Sequence, residues 1–102
     1  MLTFEKVQEI FQDYLLADTE IEILKSRYGY LRVVWDSKSL TCGDDVLCQT
    51  PRELFDVLLQ DFETFQEIRL TKGKGDLTEE DRIQVANMCS VLIACCRQEE
   101  RV

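Results

Sequence analysis

Histidine is absent from the 102-residue chain. That removes the commonest general base, the Ser–His and Cys–His nucleophile pairs and the commonest metal ligand. Proline occurs once and glycine four times, which excludes a collagen-like or low-complexity chain. No apolar run approaches the roughly 20 residues that span a bilayer. The first 20 residues hold five acids and one lysine, where an export signal has a basic patch followed by an apolar stretch. A cytoplasmic location is therefore expected. What is present, 45% apolar and 31% charged residues, is the composition of a folded globular protein, and the length fits a single domain over residues 1–102.

Charge is plentiful and one-sided. Twenty acids against twelve bases leave a net charge of −8. Residues 1–24 carry −5, residues 25–38 carry +3, residues 39–71 carry −5 and residues 72–102 carry −1. This excludes a conventional basic nucleic-acid binder and argues against an anionic membrane surface as partner. The five cysteines are Cys42, Cys48, Cys89, Cys95 and Cys96. An odd number without an export signal reads as reduced thiols. Their spacings, C-x5-C and C-x5-C-C, lack the close pairs that zinc sites use, so no metal or cofactor is expected. Cys89 and Cys96 share a helical face and read as small buried hydrophobes.

Hydrophobic periodicity predicts an α+β, two-layer fold: a helix, an antiparallel hairpin or three-strand meander, then two helices. The first helix is expected over Thr3–Ala17, with Phe4, Val7, Phe11, Tyr14 and Leu15 on one stripe. Glu20 to Ile23 alternates as a strand, and Tyr30 to Trp35 is its partner across the turn Ser26-Arg27-Tyr28-Gly29. Leu31, Val33 and Trp35 share one face, and Tyr30, Arg32 and Val34 the other. A third strand falls within Leu40–Cys48, interrupted by Gly43-Asp44-Asp45, which reads as a solvated turn. Thr50-Pro51-Arg52-Glu53 is a capping box with proline at the first helical position. The helix it opens runs to Thr71, with Leu54, Phe55, Leu58, Leu59, Phe62 and Phe65 toward the core. Gly73 is the expected left-handed terminator, so Lys72-Gly73-Lys74-Gly75 is a helix end and not a phosphate loop. The last helix, capped by Thr78, runs to about Gln98 and is apolar nearly all round between Val85 and Cys96. Such a helix is either central to the fold or shared with another chain. Its stripe Met88, Val91 and Cys95 is rotated away from Val85, Cys89, Leu92 and Cys96. That stripe is expected either to contact a second copy, giving a homodimer, or to line a deep groove between helices.

No reaction is legible. Acid catalysis needs a carboxyl in an apolar pocket, and every acid here falls on a polar face or in a turn. Cys42 and Cys48 have nothing beside them to lower a thiol pKa. Arg27, Arg32 and Lys38 beside the hairpin read as edge-strand protection and as partners for the acidic helices. A non-enzymatic protein is expected.

The arrangement that stands out is acidic. Glu53, Asp56, Gln60, Glu63 and Glu67 fall at i, i+3, i+7, i+10 and i+14, one row about 21 Å long. Glu5, Glu9 and Asp13 form a shorter row with steps of about 6 Å. Like charges at i, i+4 destabilise a helix by a few tenths of a kcal/mol. Two readings are open: a solvated face, or a surface that imitates the spaced charges of a nucleic-acid backbone and so occupies the basic groove of a nucleic-acid-binding protein.

Four segments carry a family resemblance. Leu2-Thr3-Phe4-Glu5-Lys6-Val7-Gln8-Glu9-Ile10-Phe11 with Tyr14-Leu15, Gly29-Tyr30 with Trp35-Asp36, Thr50-Pro51-Arg52-Glu53-Leu54, and Leu77-Thr78-Glu79-Glu80 resemble small uncharacterised proteins of bacterial phages and mobile elements. In size, acidity and lack of catalytic residues the chain is also similar in type to anti-CRISPR proteins and other phage-borne inhibitors. The first resemblance implies a bacterial host cytoplasm and carries no activity; the acidic rows and the lack of catalytic groups, supported by the likeness in type, lead to the expectation of an inhibitor of an effector such as a CRISPR nuclease, bound as a protein partner and without direct nucleic-acid contact. The alternative is a structural or adaptor protein that associates through hydrophobic helix surfaces.

Overall fold

Residues 1–101 are described in a computed structural model of the chain. The opening stripe folds as two short helices where one was expected. Helix α1 (Phe4–Ile10) is capped by the Thr3 hydroxyl, which accepts from the Lys6 N–H at 3.1 Å. Helix α2 (Gln12–Ala17) follows Phe11, whose backbone (φ −97°, ψ 14°) leaves helical geometry. Phe11 is held by ring contacts to Tyr14, Phe55 and Phe62, and this packing overrides local helical propensity at that residue.

Strands β1 (Ile21–Ser26), β2 (Gly29–Asp36) and β3 (Thr41–Cys48) form an antiparallel meander in that order. The β1–β2 turn is set by Ser26, whose hydroxyl donates to the Gly29 carbonyl and accepts from the Tyr28 N–H. Gly29 has a φ of 145°, and a Cβ there would overlap the Cys48 carbonyl oxygen of β3, so glycine is required. The β2–β3 turn closes on Asp36, whose carboxylate accepts from the Lys38 and Ser39 N–H groups. The third strand is complete, and Gly43-Asp44-Asp45 lies inside it, contrary to the expected turn. Val34 pairs with Asp44 while Trp35 pairs with Cys42. Gly43 is thus the extra residue of a β-bulge, and the register shift absorbs it without ending the strand.

Helix α3 (Pro51–Thr71) starts as its sequence indicates, with the Thr50 hydroxyl accepting from the Glu53 N–H at 3.2 Å. The reciprocal half of the expected box is missing, because the Glu53 carboxylate accepts from the Thr50 hydroxyl instead of from its backbone N–H. The full reciprocal box is at Thr78 and Asp81, at the start of α4 (Glu79–Glu100). Helix α3 ends at Thr71, as its sequence indicates, but the left-handed cap falls one residue before the expected glycine. Lys72 already takes the left-handed conformation, followed by Gly73, whose N–H reaches the Ile68 carbonyl at 3.0 Å.

The helices pack on one another and on one face of the sheet. Helix α3 touches α1, α4, β2 and β3, and α1 also touches α4. Val7, Phe11, Tyr14, Leu54, Phe55, Leu58, Cys48 and Cys96 form one buried cluster, with Ile21, Ile23 and Val46 packed against it from the sheet. The face carrying Tyr30, Arg32 and Val34 therefore looks toward the helices, and Tyr30 stacks on Phe4 at 4.3 Å. On the opposite face Val33 is buried and Leu31 and Trp35 are half-buried. The protein is an α+β fold of two layers, one helical and one an antiparallel sheet. No helix among the described residues is long and apolar enough to cross a membrane.

Candidate functional site

The α3 acidic row exists as a continuous surface. Leu54, Leu58 and Phe65 turn inward, and Glu53, Asp56, Gln60 and Glu63 on the other side of the helix are exposed, with Glu67 half-buried. The row is partly countered at its N-terminal end. Arg52 donates to Asp56 at 3.0 Å and to Glu100 of α4 at 3.1 Å. Glu63 and Glu67 rim a groove between α3 and α4 that Arg82 also lines.

The shorter row is different. Glu5 and Glu9 stand on α1, and Asp13 stands on α2 beyond the break at Phe11. Glu5 accepts from the Tyr30 hydroxyl and Glu9 pairs with Lys6. Each row lies on the side of its helix turned away from the shared core.

A polar cluster that sequence reasoning missed lies between α3 and the sheet. Arg32 is only 7% exposed. Its Nε lies 3.1 Å from Asp61 Oδ2 and its Nη1 lies 3.2 Å from Asp44 Oδ2. The Nε–Oδ2 contact is an ion pair without hydrogen-bond alignment, and neither atom has a hydrogen-bond partner among the described residues. Burial pushes the Asp61 carboxyl above its ordinary range, against the opposing pull of Arg32. Two expectations are corrected here. Arg32 does not protect a sheet edge, because β2 is the central strand, although it does pair with an acid of a helix, Asp61 of α3, as its second expected role had it. Nor does every acid fall on a polar face, because Asp61 sits among Leu54, Leu58 and Phe65. The signal was in the spacing: Leu54, Leu58, Asp61 and Phe65 follow i, i+4, i+7, i+11, which puts one acid inside an apolar stripe. Beside this pair, Tyr14 donates to Asp18 at 2.8 Å. Tyr14, Asp18, Ile21, Val34, Asp61 and Phe65 contribute to the wall of an open groove of about 490 Å³. Two of the groove's acids are engaged, Asp61 by Arg32 and Asp18 by Tyr14, while Glu20 on its rim is exposed.

Two surfaces among the described residues carry exposed apolar side chains. On the sheet, Leu24, Leu31 and Leu47 lie directly opposite one another across the three strands, with Leu24 39% and Leu47 40% exposed. Glu22 and Asp45 flank Val33 on the same face. On α4, Val85, Cys89 and Cys96 are buried, whereas Val91 is 63% exposed and Cys95 is exposed. The Met88-Val91-Cys95 stripe therefore lies on the outer surface and not in a groove between helices, because α1 and α3 together cover only one side of α4.

The buried thiols make a prediction about pH. Burial, the largest effect in each case, pushes Cys48, Cys89 and Cys96 above the usual thiol range. Burial and the bond to Asp18 likewise push the Tyr14 hydroxyl up. The folded chain therefore holds these four protons more tightly than the unfolded chain does. Their stabilisation is complete below the unfolded thiol pKa of about 8.5 and is lost as pH rises through the folded values, by up to about 1.4 kcal/mol per pH unit for each group in its window. Urea unfolding under reducing conditions should show a midpoint that falls steadily from pH 8 to pH 10.5. A flat or rising midpoint contradicts the burial of these groups.

Comparison with known proteins finds no matching family model, no similar curated protein and no similar solved structure.

Proposed function

We propose that the chain is a non-enzymatic, acidic protein-binding module that uses the exposed face of α3 to occupy a basic surface on a partner. The favoured partner class is a nucleic-acid-binding effector whose groove would otherwise hold a phosphate backbone, a CRISPR nuclease being one such target. In this reading the chain is a phage-type inhibitor acting in the cytoplasm of a bacterial host. The observation that carries the proposal is the row Glu53, Asp56, Glu63 and Glu67, displayed over about 21 Å of one rigid helix. Carboxylates at that spacing on a regular element present a preorganised array of negative charge, and a net charge of −8 adds long-range steering toward a cationic groove. Glu5, Glu9 and Asp13, on α1 and α2, contribute to steering and are secondary contacts.

The test is a charge reversal. Glu53, Asp56, Glu63 and Glu67 changed together to lysine should weaken partner association by at least about 100-fold, as loss of several charge-assisted contacts requires. Helical content should be nearly unchanged, since the exposed pair Arg52–Asp56 is worth only a few tenths of a kcal/mol. The partner captured by the wild-type chain and lost by the variant should be blocked from its nucleic acid by the wild-type chain, and less so as salt increases. Capture that survives the reversal removes the acidic face as the binding surface.

A second reading is favoured by the row Leu24, Leu31 and Leu47. An apolar sheet face flanked by Glu22 and Asp45 suits an adaptor whose partner offers an apolar strip edged with basic groups. Binding through that face would barely respond to salt and would be lost on changing Leu24 and Leu47 to serine.

A further inference from the structure

We propose that the outer face of α4 joins two copies of this chain as an antiparallel helix pair about a two-fold axis passing near Val91. The first observation is an absence of charge. Ile83 to Cys96 is a run of fourteen residues without one charged side chain, in a chain that is 31% charged. Burial explains only half of that run. Val85, Cys89 and Cys96 are covered by the fold, while Asn87, Val91, Ala94 and Cys95 are exposed on the other side. An exposed helix face normally carries the charges that keep it solvated.

The second observation is spacing. Gln84, Met88, Val91, Cys95 and Gln98 recur at intervals of four, three, four and three, the seam of a two-helix pair. Beside that seam, Glu80, Asn87, Ala94 and Arg101 recur every seven residues, the flanking position at which charges choose the partner and its direction. Turned antiparallel about Val91, the seam is self-complementary. Val91 meets Val91, Met88 meets the small residues Ala94 and Cys95, and the amide of Gln84 meets that of Gln98. Glu80 of each copy falls beside Arg101 of the other, twice by symmetry.

Charge complementarity makes a second copy the occupant. Two chains of −8 repel, so they can associate only where no acids are brought face to face. A two-fold contact through the outer sheet face sets Glu22 and Asp45 against their own copies, and the acidic faces of α1 and α3 are worse. The α4 seam brings together uncharged residues and ends in opposite charges. Its residues do not overlap the α3 row, so the dimer stands or falls independently of the acidic-face reading.

Sedimentation equilibrium on the reduced wild-type chain from about 5 to 200 μM tests the contact, a range that suits a short seam of small apolar side chains. The mass should rise with concentration from 11.9 kDa toward twice that value. A mass that stays at the monomer value throughout overturns the proposal. Val91→Glu should hold the protein monomeric across the same range, and a folded Val91→Glu that still dimerises assigns the contact elsewhere. Because a charge at Val91 can also disturb the helix, surface changes give a check that does not depend on it. Glu80→Arg and Arg101→Glu should each weaken the dimer about three- to tenfold, and the two together should restore it. A dimer indifferent to both single changes overturns the antiparallel register. Cysteine chemistry reads the direction separately: the two Cys95 residues lie about 12 Å apart along the antiparallel pair. A Cys95–Cys95 disulfide forming readily in a Cys42→Ser background would mean a parallel pair and overturn this one.

Discussion

Phe11→Ala will lower the stability of the chain by about 3–5 kcal/mol, the cost of removing a fully buried aromatic ring and leaving a cavity. Phe11 is 1% exposed and is the residue through which the chain's first helical segment reaches α3. Its ring lies 5.4 Å from that of Phe55 and 6.5 Å from that of Phe62. Tyr14 continues the same cluster to Phe62 and Phe65 at 5.6 and 5.4 Å. The neighbouring Leu16 is the internal control. It is 74% exposed, so Leu16→Ala should stay within about 0.5 kcal/mol of wild type. Urea unfolding followed by circular dichroism compares the two, and a Phe11→Ala cost below about 1 kcal/mol would mean that the aromatic cluster does not hold the helices together.

The second large effect is an asymmetry between the partners of the buried ion pair. Asp61→Ala strands the Arg32 guanidinium, which cannot shed its proton and keeps only Asp44, itself mostly exposed. The expected cost is about 3–5 kcal/mol at neutral pH. Arg32→Met strands Asp61 instead, and a carboxyl can escape by taking up a proton. Its pKa is already raised by burial, and removing Arg32 removes the one opposing pull. The Arg32→Met chain should therefore lose less, about 1–3 kcal/mol, and recover part of that loss as the pH falls from 8 to 5. The sign follows from linkage: a carboxyl whose folded pKa lies above its unfolded value stabilises the fold at low pH and ceases to do so as the pH rises through the folded pKa. Unfolding curves at both pH values decide it. Equal losses for the two variants, or a recovery seen for Asp61→Ala, would show that Asp61 carries no buried charge.

What the sequence disclosed was local. Thr50-Pro51, Thr78, Ser26-Arg27-Tyr28-Gly29 and the Leu54-to-Phe65 stripe act through residues three or four positions apart, and each appears in the structure where its pattern places it. The misreadings share a different cause. The break at Phe11 comes from rings on α3, more than 40 residues downstream in the chain. The bulge at Gly43 depends on which residue of β2 it opposes. Arg32 was read as an edge residue because strand order is a tertiary property, and the alternation Tyr30-Arg32-Val34 does not say which face is covered. Asp61 was legible as an interruption of an apolar stripe, but its meaning required the cation across the sheet. For the candidate surfaces, periodicity placed the acids on one side of α3 correctly, yet could not show that the row Glu5, Glu9 and Asp13 is divided between two helices. The α4 stripe Met88-Val91-Cys95 was separated from the buried stripe by angle alone, and only the arrangement of α1 and α3 showed which of the two lay outside.

The contact between α1 and α4 has a consequence for how the molecule is made. Most neighbours in the fold are neighbours in the chain: β1 beside β2, β2 beside β3, α3 beside α4. Such contacts close short loops and form quickly. Helix α1 is the exception, because Val7 and Cys96 belong to the same buried cluster although almost the whole chain separates them. During synthesis the meander and then α3 can assemble as they emerge, while Val7 must wait, partly uncovered, until α4 has been completed. Helix α1 is thus fully enclosed only after the much later α4 has been made. A nascent chain stalled before residue 79 would display that apolar stripe to chaperones and proteases, whereas one released after α4 would not.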